Sequence, residues 1–374
     1  MTRSDPPFRA DHVGSLLRPP ALLRSREGHA AGVVSTESLR GLEDDAIRDV
    51  VRMQREVGLR SATDGEFRRT SWHMDFIYRL GGVRQSDERI TVSFRNANGG
   101  LEFTSAALRI DGPVRLEETI FADDFAFLRS AAGPDVTPKL TIPSPSMVHY
   151  RGGRAAIDPL VYPDEEEFWA DLSAAYAAQI RGVAELGCRY LQLDDTSLAY
   201  LNDPAQRALL DARGDDASRQ HLRYLKQINA ALAGRPAGLT VMTHMCRGNF
   251  RSAWAAEGSY DFVAEALFAE LAVDGFFLEY DDERSGGFAP LRFIPPGKVV
   301  VLGLVTTKRG ELESKDSLKR RIDEASRYVP LDQLCLSPQC GFSSTVEGNA
   351  LTYDEQVAKL ELVVATAREV WGAP

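Results

Sequence analysis

Eight short runs rich in Val, Ile and Leu, most ending in a polar cluster, constrain this chain more than any other feature. They span 10–15, 61–66, 139–145, 190–194, 239–246, 275–280, 298–305 and 333–337. Between them, segments 36–57, 164–186, 219–232, 259–271, 314–328 and 353–371 carry apolar residues at helical spacing. Strands that alternate with helices call for a parallel sheet, because each helix returns the chain to the end from which it left. Eight such units suggest an α/β fold of the closed (β/α)₈ TIM-barrel type. An open doubly wound sheet would need a Gly-rich phosphate loop after an early strand, and no GxGxxG or GxxxxGK[ST] occurs.

One stretch breaks the rhythm. Between 89 and 121, apolar and polar residues alternate (Ile90, Val92, Phe94, then Leu101, Phe103, Leu108, Ile110), and Asn96, Asn98, Gly99 and Gly100 form a turn signal. This reads as an antiparallel β insertion of two or three strands after strand 2, occupying about 85–130, and serving as a lid, an oligomer contact or decoration of the barrel end. No repeat or low-complexity linker divides the chain, so residues 1–374 are expected to form a single barrel domain.

Composition narrows the partners. With 54 acidic and 44 basic side chains the net charge is −10, and no basic stripe is present to neutralise phosphates, which argues against nucleic acid. Mean hydropathy is −0.24 and no apolar run approaches ~18 residues, so a membrane span is not expected. The first residues lack the apolar stretch of a secretory signal. A reducing cytoplasmic location is therefore expected, where cysteines serve as core fillers, ligands or nucleophiles rather than disulfide partners. There are four: Cys188, Cys246, Cys335 and Cys340.

In a barrel of this type the active site lies at the C-terminal ends of the strands. The predicted ends carry His12-Val13-Gly14-Ser15, Asp64-Gly65-Glu66, Asp194-Asp195, His244-Met245-Cys246 and Glu279-Tyr280-Asp281-Asp282, with Cys340 in the last turn. His244 and Cys246 are two apart, which on an extended strand end points both side chains the same way. With Cys340 and a carboxylate such as Glu279 they make a set of S, S, N and O donors suited to tetrahedral zinc. Cys188, on a helix, and Cys335, within the eighth run, read as core.

At these residues the chain resembles the cobalamin-independent methionine synthase family, specifically its C-terminal catalytic barrel and single-barrel bacterial relatives. The matching stretches are Asp11-His12-Val13-Gly14-Ser15, Thr63-Asp64-Gly65-Glu66-Phe67, Leu191-Gln192-Leu193-Asp194-Asp195, Thr243-His244-Met245-Cys246, Phe277-Leu278-Glu279 and Ser337-Pro338-Gln339-Cys340-Gly341-Phe342. The resemblance implies one zinc per chain, held by His244, Cys246, Glu279 and Cys340, that activates a small thiol as a nucleophile towards an alkyl donor. It also implies that Ser15, Glu66 and Asp194 hold the amino-acid part of homocysteine, the product being methionine. Fixed carboxylates suit a substrate ammonium.

Two departures from the full-length synthase matter. A second, N-terminal barrel that helps bind folate has no counterpart in this length. After strand 7 the family's Asp-Ile-His segment, whose histidine assists proton transfer, is replaced by Val305-Thr306-Thr307-Lys308. His149 and Tyr280 are the candidate substitute acids, with His73 a further one, and Lys308 and Arg247 are candidate contacts for an anionic group. An epoxyalkane:coenzyme M transferase is the alternative within the same chemistry; its sulfonate calls for such cations, whereas homocysteine calls for Glu66 and Asp194. A metal-free, uroporphyrinogen-decarboxylase-like barrel leaves the HxC and PxCG motifs unexplained, and a zinc store has little use for the carboxylates. The inserted hairpin is a surface through which a homo-oligomer could assemble.

Overall fold

The computed structural model describes residues 3–96 and 99–372. Among them are nine strands: β1 (Ser61–Ala62), β2 (Gly81–Asn96), β3 (Gly99–Arg115), β4 (Thr137–Pro143), β5 (Tyr190–Asp195), β6 (Thr240–Met245), β7 (Gly275–Glu279), β8 (Val299–Val305) and β9 (Leu334–Pro338). Seven pair in the order β1-β4-β5-β6-β7-β8-β9, every pairing parallel, while β2 and β3 form a separate antiparallel sheet. The predicted helices appear as Thr36–Glu56, Glu165–Glu185, Gln220–Leu232, Ala264–Glu270, Lys315–Ala325 and Tyr353–Trp371. Their starts are fixed by side chains: Ser35, Asp164 and Ser314 each accept an orphan amide of the first turn, and Thr352 and Glu355 form a capping box. Among the described residues no helix is long and apolar enough to cross a membrane.

The first predicted run closes the ring with almost no ladder of its own. Ala10 bridges Leu336 of β9 in parallel, with the Asp11 amide donating to the Leu336 carbonyl (3.0 Å) and the Leu336 amide to the Arg9 carbonyl (2.9 Å). Towards β1 the join is made by the Leu16 amide on the Gly65 carbonyl (3.1 Å) and the Thr63 hydroxyl on the Gly14 carbonyl (2.6 Å). The second run is a strand for two residues only, because Gly65 (φ 67°) and Glu66 (φ 60°) turn the backbone into the left-handed region and out of the ladder. Within the ring, Lys139 donates to the His12 carbonyl (2.5 Å), lies 3.4 Å from Asp11 Oδ1 and sits over the rings of Tyr190 and Phe277. Asp11 also accepts from Ser61 Oγ (3.2 Å) and Tyr190 Oη (2.7 Å). One buried ion pair thus ties the first run to β1, β4 and β5. Cys188 and Cys335 are fully buried, Cys335 among the apolar side chains that fill the barrel with Val13, Met242 and Val301.

The insertion is a single hairpin. It starts earlier than the alternation predicts, at Gly81, because bulges between Gly81 and Val83 and between Gln85 and Arg89 keep the pair in register. It ends at Arg115, and the segment beyond returns as the helix Ala122–Ala132 rather than as a third strand. Of the turn residues, Asn98 lies outside the described residues. Pairing of Val92 with Phe103 and of Phe94 with Leu101 sets these side chains on one face. Near the turn, the Arg95 and Trp254 backbones exchange two hydrogen bonds (2.8 and 3.0 Å), which docks the hairpin against the loop after β6 at the C-terminal mouth of the barrel.

Candidate metal centre and substrate cleft

Parallel register brings four donors to one place. His244, one residue before the end of β6, pairs with Asp194 of β5; the Cys246 amide continues the ladder by donating to the Asp195 carbonyl (2.8 Å), and Glu279 ends β7 beside Gly303 of β8. Gly303 is needed there, since a Cβ would lie 2.7 Å from Gln339 Cα and 2.8 Å from the Leu278 carbonyl. That close approach is what lets the turn carrying Cys340 lie against β7 and β8. The ligand atoms of His244, Cys246, Glu279 and Cys340 all fall within 4.8 Å of one another, and all four residues are buried.

The donor set fits a metal on its own chemistry. Cys246 Sγ and Cys340 Sγ are 3.4 Å apart. The hydrogen bond from Cys246 holds the Cys340 thiol well below the usual thiol range, against the opposing effect of burial. The buried His244 ring meets the Cys340 sulfur, which leaves at least one of its two nitrogens without a partner among the described residues. A buried imidazole nitrogen left unsatisfied costs free energy unless something else accepts its lone pair. Two sulfurs, one nitrogen and one oxygen at this spacing make a donor set suited to tetrahedral zinc.

The carboxylates lie in the same cleft. Ser15, Glu66, Asp194, His244, Cys246 and Cys340 line a space of about 710 Å³, its open mouth included. Glu66 is aimed by its strained turn, where its amide donates to Asp64 Oδ1 (2.9 Å) and its carbonyl accepts from Arg18 (2.9 Å). Its Oε1 accepts from Thr141 (2.8 Å), whereas Oε2 is buried with no partner among the described residues. Burial raises Glu66 above the usual carboxylate range. Asp194 accepts from Gln192 Nε2 (2.6 Å), and burial pushes it up to about 7, the charge of Glu66 adding to the rise against the pull of His244. Ser15 is seated by the turn after β9: its carbonyl accepts the Phe342 amide (2.9 Å), and a Cβ on Gly341 would stand 1.9 Å from its Oγ.

The other predicted residues are placed elsewhere. His149 does not line the cleft; it is packed against Trp169 and Tyr224 with Nδ1 3.1 Å from Tyr224 Oη and Nε2 3.1 Å from Glu165 Oε1. Tyr280 follows Glu279 by one residue, so alternation turns it away, and it packs between Tyr260 and Phe288. Arg247 is not at the rim: its guanidinium is fully buried and donates to the Gly258 and Glu279 carbonyls and to Tyr260. Lys308 lies 3.7 Å from Asp281. His73 does line the cleft, with Nδ1 3.1 Å from Ser71 Oγ, and burial pushes it down to about 3, so it is neutral at physiological pH.

Sequence reasoning missed the rest of the cleft's lining. Trp72, Phe94, Phe103, Arg151, Tyr200 and Phe250 belong to it. Phe94 and Phe103 come from the hairpin and stack on Phe250 at 5.5 and 5.0 Å. Their alternation was visible, but alternation names a face without naming what it covers. Arg151 and Tyr200 stand outside any motif.

The sequence profile of the cobalamin-independent synthase catalytic domain matches residues 135–369. An uncharacterized protein of Bacillus subtilis (strain 168), YxjG, is 47% identical over 99% of this chain and 97% of its own length. The methionine synthase of Pyrococcus abyssi (strain GE5 / Orsay) is 24% identical, covering 88% of this chain and 84% of its own. Among solved structures, a candidate vitamin-B12-independent methionine synthase from Listeria monocytogenes is 40% identical and superposes with a TM-score of 0.78, covering 99% of this chain and 100% of that one. The chain belongs to the cobalamin-independent synthase family and carries that family's catalytic domain.

Proposed function

We propose that this protein is a zinc-dependent thiol alkyltransferase that methylates homocysteine to methionine. One observation carries the reading: a single cleft sets the two sulfurs and the imidazole of an S, S, N, O donor cluster against two buried carboxylates and a serine. His244, Cys246, Glu279 and Cys340 would hold the ion. A zinc ion there would supply a Lewis acid able to deprotonate a thiol whose free pKa is ~8.5. Glu66 Oε2, without a partner among the described residues, and Asp194 would receive the substrate ammonium, and the Ser15 hydroxyl would orient the rest of the amino-acid group. Trp72, Phe94, Phe103 and Phe250 would shield the reacting sulfur from water, with the methyl donor entering past them.

The positions of the cations weigh against a sulfonate thiol. Arg247 is engaged by carbonyls and Lys308 faces Asp281, so neither of the cations that coenzyme M calls for is free within the cleft. Among the described residues, Arg151 alone brings a guanidinium to the lining, near the rings of Tyr150 and Tyr200.

Metal analysis and calorimetry test the reading together. Protein purified without chelator should contain about one zinc per chain. It should bind L-homocysteine in preference to coenzyme M, with that preference lost in Glu66→Gln. Absence of zinc, or tighter binding of coenzyme M, would refute it.

A further inference from the structure

We propose that Arg284 is a positioning residue for the metal centre, holding the Glu279 carboxylate in the orientation that a bound cation requires. The inference rests on the metal-centre reading above and extends it to a residue outside the donor set.

Glu279 is wholly buried, so protein groups rather than bulk solvent set the orientation of its carboxylate. Oε1 accepts the Arg247 amide at 3.1 Å, and Oε2 faces Arg284 Nη2 at 3.3 Å. One contact alone would leave the group free to swing about the held oxygen; the second removes that freedom, and each oxygen keeps a lone pair for a metal.

Arg284 is held independently of Glu279. Its Nη2 donates to Asp281 Oδ1 at 2.7 Å, its Nη1 pairs with Asp282, and its guanidinium lies 5.1 Å over the Trp254 ring. The side chain is only 5% exposed, and Asp281 is itself braced by Lys308 at 3.7 Å. Trp254 is the residue whose backbone pairs with Arg95 of the hairpin, so the clamp is continuous with the wall of the cleft.

The test compares wild type with Arg284→Met, Arg284→Lys and Asp281→Asn, reading zinc affinity by competition with a chromophoric chelator and ligand geometry from the visible spectrum of the cobalt(II)-substituted protein. Both Arg284 variants should lose about 10–100-fold in zinc affinity with an altered cobalt spectrum. A lysine ammonium has no second nitrogen for Asp282 and no planar face for Trp254, so it would not be held in place beside Glu279 as the guanidinium is. Asp281→Asn, nearly isosteric, should lose at least about threefold in the same direction. Should Arg284→Met fail to fold, Asp281→Asn decides: wild-type affinity there overturns the proposal. Zinc uptake by the wild type with unaffected affinity and spectrum in the variants overturns the role of Arg284 alone, whereas a wild type that takes up no zinc overturns the metal-centre reading as well.

Discussion

Binding of an amino acid in the cleft should release a proton. Asp194 is raised to about 7, first by burial and then by the charge of Glu66, so at pH 6 it is mostly protonated. A protonated carboxyl cannot take an ammonium as an ion pair, and the fraction able to do so rises from about 9% at pH 6 to about 76% at pH 7.5. The affinity of the ligand-stripped protein for L-methionine should therefore rise about eightfold over that interval. Methionine is the right probe, because it has the ammonium but no thiol to titrate, and chelator-treated protein leaves Asp194 in the surroundings described here. Isothermal titration in two buffers of different ionisation enthalpy should show proton release below pH 7. The desamino analogue 4-(methylthio)butanoate should show no rise. Asp194→Asn should flatten the profile and weaken methionine at pH 7.5 by about 10–100-fold, the value of a hydrogen bond to a charged partner. The same shift has a sign for stability: between about pH 4 and 7 the native carboxyl keeps a proton that the unfolded chain has lost, so the ligand-free fold becomes less stable as pH rises through this window. A methionine affinity that is flat or falls with pH would refute the assignment of Asp194 to the ammonium.

Cys340→Ser should leave well under one zinc per chain after dialysis, measured by plasma emission, since a hydroxyl replaces a thiolate in the buried set. Gly341→Ala places a methyl where Ser15 Oγ stands 1.9 Å away, so thiol affinity should fall about tenfold, one misplaced polar contact, while zinc content holds. Lys139→Met strands Asp11 inside the barrel without its cation, and should lower unfolding free energy by about 3–5 kcal/mol in chemical denaturation.

How much of this could be read from the chain alone follows from what kind of signal each feature leaves. His244 and Cys246 were legible because a strand end imposes a two-residue repeat, and Cys340 because the PxCG turn has a fixed composition. All eight apolar runs reach the barrel wall, yet the first two hardly form strands. Their polar ends, Gly14 and Gly65-Glu66, are where the chain abandons the ladder to aim side chains into the cleft. Hydrophobicity records burial in the wall; it does not record which bonds the backbone makes once buried.

The residues that escaped notice, or were given the wrong role, are those whose role depends on a partner distant in sequence. His149 sits beyond a predicted strand end, where histidine suggests acid chemistry, but Tyr224 and Glu165, from two different helices, claim both of its nitrogens. Arg284 reads as one more charge in an acidic loop until Glu279 and Trp254 are brought to it from the strand before and from the loop that docks the hairpin. The hairpin makes the same point: its alternation is local, whereas its two phenylalanines matter only because Phe250 stands opposite. Ligand identity is therefore carried by short-range pattern in this chain, while ligand orientation and the exclusion of water are carried by long-range contacts. It follows that substitutions outside every motif, at Arg284 or Phe94, should alter metal affinity or donor binding while leaving the donor set intact.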